Sequence, residues 1–235
     1  MFCERGEGSV KLTFLGTGAA DWQDKKAKES GELRRFSSAL IDDVLLIDPG
    51  PHVFDALEAF GIDVKKIRYI ISTHDHSDHF CIDTVKRLES AGAVLYHFSE
   101  GDSKKIGNYT VNAYGGNHAT CAKTVHFMIA DGPDTLFYAL DGAWLCYEEY
   151  MAIKEFRPDL AVLDATIGDV DGDYRIFEHN NLNMVIEMKK SLDPYIKKFC
   201  ISHMSKNLHG DHTELVKKMR KHDIIAAYDG LTLRF

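Results

Sequence analysis

Apolar residues in this chain fall into short runs of strand length, separated by polar turns or by stretches with helical spacing. Val10 to Leu15 reads as a first strand, followed by a long polar loop. Two short strands, Ser38 to Ile41 and Val44 to Ile47, are joined by the turn pair Asp42-Asp43. The stretch "DPGPHVFDALEAFG" has the marks of a helix. Pro51 stands near its first turn, Val53, Phe54, Leu57 and Phe60 are apolar, and Gly61 stops it. "IRYIIS" then predicts a buried strand, and a helix over about Phe80 to Ser90 and a strand "AVLYHF" follow. The middle of the chain is strand-rich: "YTVNAY", "TVHFMIA" and "TLFYAL", with Gly115-Gly116 and Asp131-Gly132 as turns. Helices near Cys146 to Phe156, Leu182 to Leu192 and Thr213 to Lys221 precede strands "LAVLDA", "KFCISH" and "IIAAY", and "LTLRF" closes the chain.

Hairpins mixed with helix–strand units predict an α/β fold. The expected form is two mixed sheets with helices outside, a four-layer α/β/β/α sandwich built as one domain over residues 1–235. A chain of 235 residues, 45% hydrophobic, can bury one such core. No apolar run reaches membrane-spanning length, so no membrane partner is expected. The start "MFCERGEGSV" lacks the apolar stretch of a secretory signal, and the expected location is cytoplasmic. Five scattered cysteines without a C-x-x-C pair argue against a disulfide framework and a cysteine-built zinc site. A net charge of -8 disfavours a nucleic-acid partner and favours a small-molecule substrate. A homodimer is left open.

Strand "IRYIIS" ends in "STHDHSDHF", which packs three histidines and two aspartates into His74 to His79. In an extended segment, residues two apart point the same way, so His74 and His76 can grip one ion together. Asp78 and His79, where the chain turns into a helix, can face a second ion. Imidazole and carboxylate donors suit zinc, manganese or iron. A polar turn that merely happens to be histidine-rich is the competing reading, and the spacing speaks against it. Completing ligands stand where apolar strands end or loops turn: His118 in "GGNHAT", Asp141 after "TLFYAL" and His203 after "KFCIS". An aspartate between two ions can bridge them, which would make the site binuclear.

These residues, in this order, resemble the metallo-β-lactamase superfamily, and "LLIDPGP" at Leu45 to Pro51 is similar to that family's turn into its first helix. By this resemblance His74, His76 and His118 bind one divalent metal, Asp78, His79 and His203 bind the second, and Asp141 bridges. The resemblance also implies the α/β/β/α fold. "LTFLGTGAA" with "RRFSSALI" resembles the phosphodiesterase branch, which includes the tRNA 3′-end endonucleases and the carbon–phosphorus lyase accessory phosphodiesterase. "EHNNLNMVIEM" looks like the latter group, where a histidine beside the metals acts on the substrate phosphate; His179 is the matching position. Members often carry structural-zinc cysteines in the loop after the first strand. The loop here has none, so that zinc is expected to be missing. No long basic insertion is present either.

The expectation is thus a hydrolase with two zinc or manganese ions, iron being compatible, acting on a small, perhaps cyclic, phosphodiester by attack of a metal-held hydroxide. His179 and Asp78 are the catalytic candidates. The alternatives are a lactonase or other carboxylic-ester hydrolase on the same site, and a non-catalytic metal- or ligand-binding domain. Asp48 reads equally as a hydrogen-bond partner for a ligand histidine or as a plain turn former. His209 and His212 could contact substrate, Arg34 and Arg35 could grip a phosphate, and Asp164 could face the cleft or cap a turn. His52, His97, His126 and His222 match no motif.

Overall fold

A computed structural model of the chain describes residues 10–23, 34–121 and 123–235. Two sheets carry the fold. The first contains β1 (Lys11–Gly16), β2 (Ser38–Ile41), β3 (Leu45–Ile47), β4 (Tyr69–Ile71), β5 (Val94–Leu95) and β13 (Thr232–Arg234), in the order β13-β1-β2-β3-β4-β5. The second contains β6 (Ser103–Ile106), β7 (Tyr109–Gly115), β8 (Val125–Asp131), β9 (Asp134–Ala139), β10 (Leu160–Asp164), β11 (Lys198–Ser202) and β12 (Ile224–Ala226), in the order β12-β11-β10-β9-β8-β7-β6. Helices α1 (Val53–Ala59) and α2 (Ile82–Ser90) accompany the first sheet. Helices α3 (Tyr147–Phe156), α4 (Leu182–Leu192) and α5 (His212–Arg220) accompany the second.

Three apolar clusters reveal the layers. Leu12, Phe14, Ile47 and Ile71 of the first sheet pack with Val111, Phe127, Tyr138 and Val162 of the second, so the sheets face each other. The opposite face of the second sheet, with Phe137, Leu163 and Ile201, packs on Ile153, Val185 and Met219 of its helices. The opposite face of the first sheet, with Leu40, Leu46 and Ile70, packs on Val53, Leu57 and Leu88. The expected four-layer α/β/β/α sandwich is therefore present. Its central strands are apolar on both faces because each sheet is covered on both sides. A fully buried Leu, Ile or Phe contributes about 1.5–3 kcal/mol here.

Local chemistry follows the sequence with three differences. The Asp42-Asp43 turn is observed: both residues have positive φ (52° and 60°), and Val44 N–H donates to the Ile41 carbonyl. Those are the backbone signs of the tight hairpin turn that matches strand twist. The strand expected over residues 93–98 shrinks to Val94–Leu95. Its neighbour β4 ends at Ile71, so little backbone remains to pair with. Gly115-Gly116 is not a tight turn; β7 runs to Gly115 and a loop follows to Thr124. Strand β6, "SKKI", was not expected. It is an edge strand whose lysines hide the alternation, joined to β7 by Gly107-Asn108 with Gly107 at φ 58°.

Topology then places the chemistry. Strands β9, β10 and β11 run parallel, with Ala139 opposite Leu163 and Asp164 opposite Ser202. Their carboxyl ends are level, so Asp141, Asp164 and His203 emerge along one edge. In the first sheet β3 and β4 are parallel with Ile47 opposite Ile71, which sets Asp48 beside Ser72 and Thr73. Among the described residues Cys81, Cys121, Cys146 and Cys200 are free thiols, and no helix is long and apolar enough to cross a membrane. The loop read as lacking a structural zinc falls largely on residues 24–33, outside the described residues.

Candidate metal centre

The segment after β4 is organised by one buried aspartate. Asp48 Oδ1 accepts from Thr73 N–H (2.7 Å) and from the Thr73 hydroxyl (2.9 Å). Its Oδ2 lies 2.9 Å from His79 Nδ1. The Thr73 oxygen is in turn 3.0 Å from His74 Nδ1. One carboxylate thus fixes His79 directly and His74 through Thr73, and both rings present Nε2 to the cleft. Of the two readings of Asp48, the structure supports the histidine partner. Residues 76–80 close a tight turn, with His79 and Phe80 N–H groups donating to the His76 carbonyl. Gly50 lies against this turn; a Cβ there would stand 2.5 Å from the Asp78 carbonyl oxygen.

Asp141 follows β9 after Leu140 and His203 directly follows β11, and both have left-handed backbones, φ 58° and 61°; Asp48 has φ 60°. Asp and His are among the side chains that tolerate this conformation, which swings them off the strand within one residue. Asp141 Oδ2 lies 3.0 Å from both His74 Nε2 and His79 Nε2, and its Oδ1 lies 3.0 Å from His203 Nδ1. His203 Nδ1 is 2.7 Å from the Thr166 hydroxyl, which turns Nε2 toward His79 Nε2 (3.1 Å) and Asp78 (3.5 Å). His118, on the loop after β7, points Nδ1 at the Glu178 carbonyl (3.3 Å) and Nε2 at His76 Nδ1 (3.2 Å).

All seven sequence-predicted ligands therefore converge, in two overlapping groups whose ligand atoms lie within 4.8 Å of one another. One group is His74, His76, His118 and Asp141; the other is Asp78, His79, Asp141 and His203. The donor set fits divalent ions. His74 Nε2 and Asp141 Oδ1 are buried and make no aligned hydrogen bond, although each has an oppositely charged or ring atom at 3.0 Å. Two pairs of imidazole nitrogens face each other at 3.1 and 3.2 Å. Buried polar atoms left so are costly unless something bonds them, and a cation between them satisfies all of them. His/Asp clusters of this kind suit zinc, manganese or iron.

The metal-free electrostatics divide the two groups. Burial lowers the His74 pKa, with His79 adding to the effect, and burial brings His118 down to about 4. Burial also opposes charge on His79 and His203, but Asp141 with the other carboxylates overrides it and raises both well above the ordinary histidine value. The Asp141 carboxyl, despite burial, is held well below the usual range by His203 and His79; Asp78 is lowered mainly by His79.

His179 stands at the rim with its side chain 14% exposed. Its Nδ1 is 3.0 Å from Asp164 Oδ2, which leaves Nε2 for a ligand. Burial would lower its pKa, but Asp164 raises it. Asp164 is fully buried. It accepts from Thr166 N–H, the Thr166 hydroxyl, Asn180 N–H and Asp141 N–H. The sequence left this residue between a cleft role and a turn cap, and the structure gives it both. The cleft itself measures about 250 Å³ and is bounded by five of the seven candidate ligands together with His179, Thr166, Asp21, Arg175 and Glu178. Thr166, Asp21, Arg175 and Glu178 were not anticipated; nothing local in the sequence marks them.

The other candidates lie outside this cleft. His209 Nε2 donates to the Ala165 carbonyl, and His212 begins α5 with Nδ1 2.8 Å from Arg34. Arg34 also donates to the Thr17 hydroxyl and the Ala227 carbonyl, and Arg35 faces Asp229 at 3.6 Å. Larger cavities of about 920 and 650 Å³ flank α5 and contain none of the seven ligands. The candidate ligand atoms converge at the smaller cleft.

Residues 37–82 match the model described as "Metallo-beta-lactamase superfamily". The fold is similar to that of YhfI from Bacillus subtilis, a metallo-beta-lactamase fold protein (TM-score 0.75, 18% identity, 96% of this chain and 99% of that one). It is similar to a diphosphatase from the PhnP family (TM-score 0.73, 20% identity, 96% and 98%). It is also similar to human tRNase Z, short form (TM-score 0.69, 17% identity, 95% and 98%). No curated protein matches the sequence.

Proposed function

From the premise that this chain carries a metallo-beta-lactamase superfamily domain, we propose that it is a binuclear metal-dependent phosphodiesterase acting on a small phosphodiester. His74, His76 and His118 would hold one ion, Asp78, His79 and His203 would hold the other, and Asp141, common to both groups, would serve both. Zinc or manganese is proposed, and iron suits the same donors. When bound, such a pair supplies a strong nucleophile from water at neutral pH and neutralises charge on the phosphoryl oxygens.

The chain's own residues supply the rest. Asp48, Thr73 and Thr166 hold His79, His74 and His203 in the tautomer that presents Nε2. Asp141 is fixed by its left-handed backbone and by its N–H bond to Asp164. Asp164 accepts from His179 Nδ1–H and raises the ring's pKa, which favours the imidazolium that carries a proton at Nε2. It can deliver that proton to a leaving alkoxide or place positive charge beside the phosphate.

The observation that carries the reading is this Asp164–His179 pair standing beside the bridging carboxylate, with His179 Nδ1 3.7 Å from Asp141 Oδ1. A carboxylic ester or lactone has less need of such a cationic donor over a phosphoryl group. The 250 Å³ cleft and the net charge of -8 favour a small substrate over a polynucleotide. His179→Ala should keep both metals and lose roughly 10²–10⁴-fold in kcat on an alkyl phosphodiester. The loss should be smaller with a nitrophenyl leaving group, which needs no proton. Unchanged turnover on both, at full metal content, would reduce His179 to a structural residue and remove the main support for phosphodiester chemistry. A panel that includes lactones and carboxylic esters tests the competing hydrolase.

A further inference from the structure

His126 matches no sequence motif, and the proposed chemistry does not use it. It sits on β8 with 1% exposure, facing Glu149 of α3, which is fully buried. Its Nδ1 lies 2.5 Å from Glu149 Oε1, and its Nε2 lies 3.1 Å from the Leu140 carbonyl. Each ring nitrogen meets an oxygen, an arrangement that suits an imidazolium beside a carboxylate. The second Glu149 oxygen accepts from Cys146 N–H at 2.6 Å.

These outward bonds end on the two sides of one turn. Leu140 precedes Asp141, and Cys146 closes the stretch that follows it. Within that stretch Asp141 and Trp144 both have left-handed backbones, φ 58° and 60°. Neither is glycine, so the conformation needs outside support. The ring also occupies the space beside two glycines. A Cβ on Gly142, the residue after Asp141, would fall 2.6 Å from its Cε1; one on Gly116, two residues before His118, would fall 2.8 Å from its Nε2. The two loops are then tied to each other, with Ala143 N–H donating to the Asn117 carbonyl and Asn117 Nδ2 donating to the Ala143 carbonyl.

We propose that the His126–Glu149 pair is a positioning element of the metal centre: it sets Asp141, and with it the His118 loop, from behind the cleft. This rests on reading Asp141 and His118 as metal ligands. The competing reading is a buried ion pair that serves stability alone. Buried ion pairs are a weak source of stability, and this one directs both of its remaining bonds to the turn that carries Asp141.

Two variants separate the readings. In Glu149→Gln the amide can accept from Cys146 N–H and donate to a neutral His126 Nδ1, so Nε2–H still donates to Leu140. In His126→Phe with Glu149→Gln the ring shape stays, no charge is left unpaired, and the Leu140 bond is gone. Zinc dissociation constants would be measured on the metal-stripped full chain by competition with a chromophoric chelator, and the cobalt-loaded visible spectrum would report ligand geometry. The expected result is near-wild-type zinc binding and cobalt spectrum for Glu149→Gln. The double variant should bind zinc about 10–100-fold more weakly, as loss of groups that orient ligands typically does, with an altered cobalt spectrum. If the double variant does not fold, His126→Leu with Glu149→Met is measured against the same criteria. A folded variant lacking the Leu140 bond, with wild-type zinc constants and cobalt spectrum, overturns the proposal and leaves the pair a stability role. Failure of the wild type itself to take up zinc overturns the ligand reading, and this inference with it.

Discussion

Asp164→Asn perturbs the cleft while leaving every proposed metal ligand in place, and the structure gives its size. Asp164 Oδ1 accepts from two backbone N–H groups, Thr166 at 3.0 Å and Asn180 at 2.9 Å. In asparagine the amide oxygen must keep that side. The NH₂ group then takes the place of Oδ2 and faces His179 Nδ1, the Thr166 hydroxyl and Asp141 N–H. The hydroxyl can accept from it. His179 exchanges a charge-assisted bond, about 1.5–3 kcal/mol, for a neutral one of about 0.5–1.5. The protonated ring is thereby less favoured by roughly 1–2 kcal/mol, which corresponds to about 5- to 30-fold in kcat if that proton goes to the leaving group. Asp141 N–H loses its acceptor in a buried site, at a cost of about 1–3 kcal/mol in stability. The assay is kcat on an alkyl-leaving and a nitrophenyl-leaving diester, with metal content and thermal midpoint recorded for each preparation. The loss should appear on the alkyl substrate and be smaller on the aryl one. Equal loss on both, or none at full metal occupancy, would refute the view that Asp164 acts through the His179 proton.

Two further outcomes concern the metals. Purified or reconstituted chain should carry close to two transition-metal ions, and Asp141→Asn should lower that number by elemental analysis; no metal after reconstitution with zinc and manganese would sink the ligand assignment. Zinc binding at pH 7 should release protons, chiefly from His79 and His203. Their pKa values stand well above the ordinary one without metal, whereas His118, brought down to about 4, and His74, also lowered, have none to give. The sign follows: acidification weakens both ions, and it weakens the Asp78–His79–His203 ion first. Calorimetric titrations in buffers of different ionisation enthalpy should show release of about two protons per chain, and no buffer dependence would contradict the raised values.

The convergence of the seven proposed ligands was legible in sequence because their signals are local. His74 to His79 are one short stretch, and Asp141 and His203 each end an apolar strand. The layers were legible because the central strands are apolar and most helices carry turn or stop residues. Asp164 could only be half-read, since its role depends on the parallel register that sets it level with Ser202 and beside the end of β9. Thr166 and Glu178 act through a hydroxyl and a backbone carbonyl aimed across strands, which no spacing announces. His126 looks like any histidine on a strand until Glu149, 23 residues later, packs against it. Strand β6 escaped because an edge strand needs no alternation to be stable, and Arg34 and Arg35 lie outside the metal cleft because their partners are Thr17, His212 and Asp229.

The left-handed backbones at Asp48, Asp141 and His203 also restrict which replacements the lineage can sample. At such positions asparagine and glycine keep the chain path, whereas a β-branched residue disturbs it. Replacement of Asp141 or His203 by valine would therefore disturb the chain path at the end of the second sheet along with the candidate site. A descendant that lost the proposed ligands but kept the sandwich would be expected to carry asparagine or glycine at 141 and 203. Homologues with that signature would be the place to look for proteins that keep the fold without the ligand set.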